Sequence, residues 1–279
     1  MDINQAILYA QLVNAAYAIA PTNTTNAAGQ TVSVGSASYT VVTSIFANDL
    51  CTDMNPDRGN SRVSIGLVLQ ASTSGDVVIA IRGTEGIQEW IHDAQFLPKP
   101  YPFMAAAGNT EDGFTDMYQS MRTGVDPASP TVVQALPKLQ FPRAVTSLTI
   151  CGHSLGGALA TLLALDVAVN TSFTPAVYTY ASPRTADPQF VSIYNHAVPN
   201  TFRIANRLDL VPKLTLPPLY DHVLGLNELT SATIIPPRIL IKPELACLHI
   251  LTSYLFLLSL QAGGSLALNA ECKPIPITI

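Results

Sequence analysis

Residues 146–169 constrain the fold of this 279-residue chain more than any other stretch, because they join two kinds of structure through one short motif. They read TSLTICGHSLGGALATLLALDVAV, a β-prone run followed by Ala- and Leu-rich helix formers. Gly152, Ser154 and Gly156 form a G-x-S-x-G pattern, which predicts a sharp strand-to-helix turn that exposes the serine hydroxyl. A helix that begins at Leu155 also directs free N–H groups and its positive dipole end towards that hydroxyl. A glycine-rich turn without chemistry is the alternative, because the pattern also occurs by chance.

Composition excludes several classes of protein. Charged residues make up 12% of the chain and hydrophobic residues 48%, whereas the usual charged share is about 25%; such a surface suits a protein that works against an apolar phase. The net charge of −5 and the absence of Lys/Arg runs argue against a nucleic-acid partner. The apolar stretch 250–260 is too short to span a bilayer, so no transmembrane segment is expected. Without H-E-x-x-H or C-x-x-C, no metal or other cofactor is expected.

The first residues predict a helix rather than a secretory signal. Asp2 and Gln5 form a D-x-x-Q capping box, and apolar side chains recur at helical spacing over residues 3–19: Ile3, Ile7, Ala10 and Val13. The first basic residue is Arg58, so the positive region that opens a signal peptide is missing. Both a cytoplasmic protein and a secreted mature form fit this sequence, and localisation stays open.

The four cysteines are expected to form at most one disulfide. Cys151 lies at the end of the strand before the serine turn and is predicted to be a buried free thiol. Among Cys51, Cys247 and Cys272 one bridge can form, and we favour Cys247 with Cys272.

Runs of β-branched and aromatic residues predict five strands: residues 39–46, 63–70, 76–82, 176–180 and 201–206. Ser74-Gly75 separates the second run from the third, which indicates a hairpin or two adjacent strands. The polar segment 21–38 is interpreted as a connector, and the proline-bearing segment 129–143 as a short or broken helix.

Several segments resemble the class 3 lipase family, the fungal, plant and bacterial triacylglycerol lipases of α/β-hydrolase fold. VVIAIRGTEGIQEWIHDAQF, with Arg82-Gly83-Thr84, is similar to the segment in which a strand of that family ends at an oxyanion-hole residue. Residues 181–184, ASPR, resemble its G-S-P-R turn, and GFTDMYQSM resembles its H-x-G-F helix, with Glu111-Asp112 replacing the usual histidine. The resemblance runs from about Val63 to Leu255. It implies one α/β-hydrolase domain over residues 1–279, with a largely parallel central sheet flanked by helices.

The resemblance also implies a catalytic triad. A serine needs a histidine to take its proton and a carboxylate to orient that histidine, and the chain order in this fold is Ser, acid, His. NRLDLVP resembles the family's N-x-x-D-x-V-P and implies Asp209 as the acid for Ser154, with Asp221 as the alternative. HILTSYL resembles its H-x-x-x-x-Y-L segment and implies His249 as the base, whereas His222 is expected to be structural.

Acyl transfer also needs hydrogen-bond donors aimed at the developing oxyanion. The N–H of Leu155 and the N–H and hydroxyl of Thr84 are the candidates. The stretch after Thr84 is similar to the family's lid helix, and we predict a mobile cover over residues 85–104 whose apolar residues contact lipid: Ile87, Trp90 and Ile91. Packing of Trp90 into the core is the alternative. The remaining histidines are expected to be structural or surface residues: His92, His153 and His196.

These features together predict a lipase or esterase that hydrolyses acylglycerol esters through an acyl-enzyme, with transient contact to a lipid–water interface. A phospholipase or a feruloyl-type esterase acting on more polar esters would use the same triad. A lipid-binding protein of the hydrolase fold without turnover is a third alternative, against which the presence of all three triad residues argues.

Overall fold

An eight-stranded sheet lies at the centre of the chain, in a computed structural model that describes residues 1–19, 25–48, 62–84, 96–229 and 245–272. Its strands follow one another across the sheet in the order β1-β2-β3-β4-β7-β8-β9-β10. They are β1 (Thr31–Val34), β2 (Ala37–Asn48), β3 (Arg62–Ala71), β4 (Asp76–Ile81), β7 (Ser147–His153), β8 (Ala176–Tyr180), β9 (Thr201–Asn206) and β10 (Leu226–Leu229). A separate antiparallel pair is formed by β5 (Pro98–Pro100) and β6 (Asn109–Glu111).

The described helices lie between and after the strands. They are α1 (Ile3–Ile19), α2 (Asp112–Ser120), α3 (Val132–Ala135), α4 (Leu155–Asn170), α5 (Pro188–Ala197), α6 (Leu245–His249) and α7 (Leu251–Gln261). The short α3, continued by a 3-10 turn over Leu136–Lys138, is the broken helix that the prolines of 129–143 predict. None of the helices in the described ranges has the length and apolarity needed to cross a membrane.

The pairing of neighbouring strands changes once across the sheet, from antiparallel to parallel. The neighbouring pairs from β1 to β4 are antiparallel, and the pairs β4–β7, β7–β8, β8–β9 and β9–β10 are parallel. The carboxyl ends of parallel strands meet at one edge of a sheet, so the loops that follow β4, β7, β8 and β9 lie together. These loops contain Thr84, Ser154 and Asp209.

The sheet has a buried core on each face, because side chains of successive strand residues point to opposite sides. In β4, Ile79 and Ile81 belong to one core with the helices α2, α4 and α5, whereas Val78 and Ala80 belong to the other with α1 and α7. Helix α4 is buried from Leu155 to Val167, as expected for a helix that is apolar on all sides.

The N-terminal helix has the predicted bounds. Asp2 Oδ1 accepts hydrogen bonds from the N–H groups of Asn4 (2.8 Å) and Gln5 (3.3 Å). The Gln5 side chain does not complete the capping box, because its Oε1 accepts the Tyr178 hydroxyl at 3.1 Å instead. This contact connects α1 to the sheet.

Both cysteine predictions agree with the structure. Cys247 and Cys272 form a disulfide that joins α6 to the 3-10 turn Ala270–Cys272. Cys151 is a free, fully buried thiol in β7. The connector predicted for 21–38 is wrong in part, since residues 31–34 form the edge strand β1 by pairing with β2.

Candidate active site

Ser154 occupies the turn between β7 and α4. Its backbone has φ 58° and ψ −128°, a conformation that costs free energy for a residue with a side chain. A Cβ at Gly152 would lie 2.1 Å from the carbonyl oxygen of Gly156, so only glycine fits the approach of strand and helix. The Ser154 N–H donates to the Tyr180 carbonyl at 2.8 Å, which holds the turn against β8. The G-x-S-x-G pattern therefore forms the strained turn that the sequence predicts.

Ser154, His249 and Asp209 form one hydrogen-bonded series. His249 Nε2 lies 2.9 Å from Ser154 Oγ, and His249 Nδ1 lies 2.8 Å from Asp209 Oδ2. Asp209 follows β9, and His249 ends α6. The residues are 1%, 3% and 0% exposed in the order Ser154, His249 and Asp209. Because the carboxylate accepts the Nδ1–H, His249 Nε2 is free to accept the serine proton.

The Asp209 carboxylate has two further donors. Its Oδ1 accepts the Val211 N–H at 3.0 Å, and its Oδ2 accepts the Tyr254 hydroxyl at 2.8 Å. The Tyr254 oxygen in turn accepts the Asn206 N–H at 3.0 Å, so its own proton is directed to Asp209. Burial and the nearby carboxylate raise the pKa of Tyr254 well above its usual value. Tyr254 belongs to the H-x-x-x-x-Y-L segment, and that spacing after His249 is the signal that could have assigned it this role.

The alternative acid and base lie elsewhere. Asp221 is exposed and its backbone pairs with Ala186. His222 Nε2 lies 2.7 Å from the Pro212 carbonyl oxygen, to which it donates. Burial and the neighbouring Arg203 lower the pKa of His222 to about 3, so the ring is neutral. His196, in the last turn of α5, is exposed.

His153, the last residue of β7, lies beside the series. Its ring centroid is 4.9 Å from that of His249, and its Nε2 lies 2.9 Å from the His249 carbonyl oxygen. Burial and the nearby His249 lower the pKa of His153 well below its usual value. This residue therefore contacts the backbone of His249 as a neutral ring.

The two predicted oxyanion donors lie on either side of Ser154. Leu155 is the first residue of α4, where backbone N–H groups have no acceptor within the helix. Thr84 is half-buried and follows Gly83, and a Cβ at Gly83 would lie 2.9 Å from Ser154 Cβ. The chain before Thr84 is therefore packed directly against Ser154.

Residues Ile87, Trp90, Ile91 and His92 lie outside the described residues. The described end of the predicted cover is tied to the body of the domain: residues 98–100 form β5, and Tyr101 is 4% exposed. The Tyr101 hydroxyl donates to the Leu162 carbonyl of α4 at 2.9 Å. In the structure this end of the predicted cover is therefore packed against the body of the domain.

Glu111, in place of the expected histidine, caps α2. Its Oε2 accepts the Phe114 N–H at 2.7 Å, and the side chain is 2% exposed. Burial raises its pKa to about 7. A second departure, Ala181 for glycine, places a residue with a Cβ at φ 54°, in the region that glycine occupies most easily.

The sequence predicts no metal or other cofactor. Within the described ranges, no group of three or more His, Cys, Asp or Glu side chains is placed to hold a metal ion. The chemistry of the site as described depends on the side chains and backbone around Ser154.

Comparison with known proteins gives the family context. A family model described as Lipase (class 3) matches residues 78–218. The secreted mono- and diacylglycerol lipase A of Penicillium cyclopium is 32% identical over 159 residues, which are 57% of this chain and 49% of that protein. Phospholipase A1-II 1 of Oryza sativa subsp. indica is 33% identical over 156 residues, 49% of this chain and 39% of that protein. The chain thus spans half or less of the length of these curated relatives.

Solved structures resemble the chain over a larger share. A crystal structure of an MDLA mutant from Penicillium cyclopium has a TM-score of 0.62 at 24% identity, covering 85% of this chain and 81% of that one. A mono- and diacylglycerol lipase from Aspergillus oryzae has a TM-score of 0.59 at 22% identity, covering 82% and 79%. At these identities the likeness shows the fold, and the predicted α/β-hydrolase fold is confirmed.

Proposed function

The chain belongs to the class 3 lipase family, whose model matches half of it, and on this premise we propose that it is a carboxylic ester hydrolase acting on acylglycerols. The observation that carries the proposal is the buried series of hydrogen bonds from Ser154 through His249 to Asp209. The relative from Penicillium cyclopium is named a mono- and diacylglycerol lipase, which favours glycerides as the substrate class. We also propose that residues 1–279 form one domain, because α1 and α7 contact each other on the same face of the sheet.

The proposed reaction has two halves. Ser154 Oγ attacks the ester carbonyl carbon while His249 Nε2 takes the hydroxyl proton, and Asp209 stabilises the imidazolium. The N–H groups of Thr84 and Leu155, with the Thr84 hydroxyl, donate to the oxyanion. His249 then protonates the leaving alcohol, which leaves an acyl ester on Ser154. A water molecule deprotonated by His249 attacks this ester, and the fatty acid leaves as the proton returns to Ser154 Oγ.

Burial of the nucleophile supports a mobile cover. Ser154 is 1% exposed, so an ester reaches Oγ only after part of the surrounding structure moves. We place the moving part of this cover before Phe96, since Phe96 and Leu97 accept hydrogen bonds from Tyr220 and Asp112, and 98–104 are held by β5 and by the Tyr101 contact with α4. Its proposed lipid-contacting residues remain Ile87, Trp90 and Ile91.

The described surface offers a second lipid contact, which we name the apolar loop: Leu216, Pro217, Pro218 and Leu219. All four residues are exposed, Leu216 by 73% and Leu219 by 47%. An exposed run of four apolar residues is unfavourable in water unless it has a function. The loop follows β9 and lies at the sheet edge that also holds Ser154.

Polar contacts on both sides anchor this loop. The Thr215 hydroxyl donates to the Arg184 carbonyl at 2.6 Å, and the Arg184 guanidinium donates to the Lys213 carbonyl at 2.8 Å. On the other side, the buried Tyr220 donates its hydroxyl to the Phe96 carbonyl at 2.8 Å. The leucines are thus presented to solvent by a fixed backbone, as contact with a lipid surface requires.

The first test is the initial rate on p-nitrophenyl esters from acetate to palmitate, measured below and above the solubility limit. We expect the rate to peak at medium or long chains and to rise at the interface, with Ser154→Ala at background. A rate that falls steadily beyond butyrate would mean an esterase that prefers soluble substrates. Covalent labelling by a fluorophosphonate that requires Ser154 distinguishes an enzyme from a binding protein of the same fold.

Phospholipase A1 activity is the second candidate, because a rice relative 33% identical over 156 residues carries that name. Fatty-acid release from emulsified diacylglycerol and from phosphatidylcholine vesicles, measured side by side, separates the two. Faster release from the diacylglycerol emulsion is expected, and the reverse order would assign the phospholipase.

Leu216→Ser tests the apolar loop against a matched variant. Leu224 is 69% exposed but lies near the amino end of β9, at the opposite edge, because Gly225 accepts the Arg203 N–H. Leu216→Ser is expected to lower the rate on emulsified ester about fivefold and to leave the soluble rate unchanged, since one leucine loses its contact with lipid. Leu224→Ser is expected to change neither rate. Equal losses on both substrates would contradict the interfacial role, and Trp90→Ala tests the cover in the same way.

A further inference from the structure

A tyrosine of the first helix contacts the active site from outside the family match. The Tyr17 hydroxyl lies 2.8 Å from His153 Nδ1 and accepts the Gly83 N–H at 2.8 Å. Tyr17 is 136 residues from His153 and 66 from Gly83 in the chain. One hydroxyl therefore joins α1 to the residue before the nucleophile and to the residue before Thr84.

The direction of each hydrogen bond follows from the chemistry of the groups. The His249 carbonyl oxygen can only accept, so His153 Nε2 carries the proton that it donates across 2.9 Å. Burial and the adjacent His249 keep His153 neutral by lowering its pKa, so its Nδ1 has a lone pair. The Tyr17 hydroxyl thus donates to Nδ1, while its oxygen accepts from Gly83. The donors in order are therefore Gly83 N–H to Tyr17, Tyr17 O–H to His153, and His153 Nε2–H to His249.

Each end of this series lies beside a reacting group. His249 is the residue whose ring accepts the serine proton, and its carbonyl is held by His153. At the other end, the position of a Gly83 Cβ would be 2.7 Å from the Tyr17 oxygen and 2.9 Å from Ser154 Cβ. The backbone before Thr84 is therefore held between Tyr17 and the nucleophile.

We propose that Tyr17 is a positioning residue of the active site, which acts through His153 on the backbone of His249 and through Gly83 on the turn that carries Thr84. The inference rests on the proposed function, because both ends of the series are the base and the oxyanion turn of that reaction. Tyr17 holds these groups relative to Ser154 and does not touch the ester. Its loss changes the rate of the chemical steps more than substrate binding.

Tyr17→Phe removes the hydroxyl and keeps the ring. With p-nitrophenyl butyrate we expect kcat to fall about tenfold and KM to stay within about twofold, because a buried hydrogen-bonding link is lost. The matched control is Tyr178→Phe, which also removes a phenol contact between α1 and the sheet, the 3.1 Å bond to Gln5 in the first turn of α1. This control is expected to keep wild-type kcat. Equal losses in the two variants, or wild-type kcat in Tyr17→Phe, would overturn the proposal.

A second variant tests the route through His153 separately from the route through Gly83. In His153→Phe an aromatic ring is kept but both ring nitrogens are lost, so Tyr17 has no acceptor on this residue. Adding Tyr17→Phe to this background is expected to cost clearly less than in the wild type, and full additivity would overturn the route. The rate of fluorophosphonate labelling is measured in parallel. It reports the reactivity of the Ser154 hydroxyl even if no ester is hydrolysed. A wild type that is not labelled would contradict the proposed function, whereas a wild-type labelling rate in Tyr17→Phe would contradict only the Tyr17 role. If Tyr17→Phe does not fold, His153→Phe alone tests the route: it should slow the labelling of Ser154, and a wild-type labelling rate would overturn the route.

Discussion

Two regions of the molecule supply the residues of the proposed triad, and each region positions them by different physical means. The central region, residues 78–218, matches the family model and contains Thr84, Ser154 and Asp209. The terminal layer, made of α1, α6 and α7, lies outside the match and contains His249. In the central region, strand ends and a strained turn place the groups, whereas in the terminal layer side-chain hydrogen bonds hold the base against the sheet.

The two regions therefore differ in how easily a substitution can shift the groups that they position. A backbone turn at φ 58° is held by packed glycines and changes only if the strand–helix junction changes. The position of His249 depends on Asp209, His153 and a disulfide two residues away, each of which one substitution removes. We therefore expect single substitutions in the terminal layer to lower kcat by graded amounts.

The largest expected effect compares the two downstream histidines. His249→Ala removes the proposed base and should lower kcat by about four orders of magnitude or more. His222→Ala removes only the bond to the Pro212 carbonyl and should cost about 1–3 kcal/mol of unfolding free energy with kcat nearly unchanged. Kinetics and urea unfolding of both variants measure this, and the reverse pattern would move the base to His222.

The disulfide tests how the terminal layer is held. Cys247 and Cys272 are 25 residues apart, and replacing both by serine should lower the unfolding free energy by about 3 kcal/mol. The measurement is the urea midpoint with and without dithiothreitol. The reductant should destabilise the wild type and leave the double variant unchanged. Equal urea midpoints for the wild type and the double variant without dithiothreitol would show that packing alone holds the terminal layer.

The two regions also differ in how far sequence predicts them. Strands β8 and β9 have the predicted bounds because their β-branched and aromatic runs end in turn residues, whereas β1 was missed because four residues in a polar stretch gain their strand structure from pairing with β2. Ser154 follows from its own motif, since glycine spacing reports backbone geometry. Asp209 and His249 needed the family resemblance, because an isolated acid or histidine carries no spacing signal.

The features that the sequence does not predict depend on contacts between residues far apart in the chain. Tyr17 meets His153 across 136 residues, and nothing in the local sequence around either residue encodes that contact. The same holds for Glu111, whose burial follows from the packing of β6 and α2. Its effect on stability can be worked out only from the structure.

Glu111→Gln tests a buried carboxyl of the central region through pH. The folded protein holds the pKa of Glu111 at about 7, above the unfolded value of 4.5, so folding binds a proton between these values. Stability from this group is therefore highest at low pH and is lost as pH rises through 7, by about 1.4 kcal/mol per pH unit at most. Glutamine can still accept the Phe114 N–H but carries no charge.

Urea unfolding at pH 5 and pH 8 measures this effect. At pH 8 the Glu111→Gln variant should be more stable than the wild type by about 3 kcal/mol, and at pH 5 by only about 1 kcal/mol, because the wild type loses most of this stability between these two pH values. The exposed Glu228→Gln serves as the control and should follow the wild type at both pH values. The same pH dependence in wild type and Glu111→Gln would contradict the assignment.

The smallest effect is expected from Tyr254→Phe, which removes one donor to Asp209 from the terminal layer while His249 and Val211 still donate. We expect kcat to fall about tenfold with KM nearly unchanged, because the carboxylate loses part of its orientation. Tyr194→Phe is the matched control: Tyr194 is equally buried, with its hydroxyl on Thr201 at 3.0 Å, but it lies in the central region away from the triad. We expect similar losses of stability in both variants and a loss of kcat only in Tyr254→Phe. That result would show that kcat depends on hydrogen bonds of the terminal layer. A kcat loss of the same size in Tyr194→Phe would mean that buried hydroxyls in both regions act only through general stability.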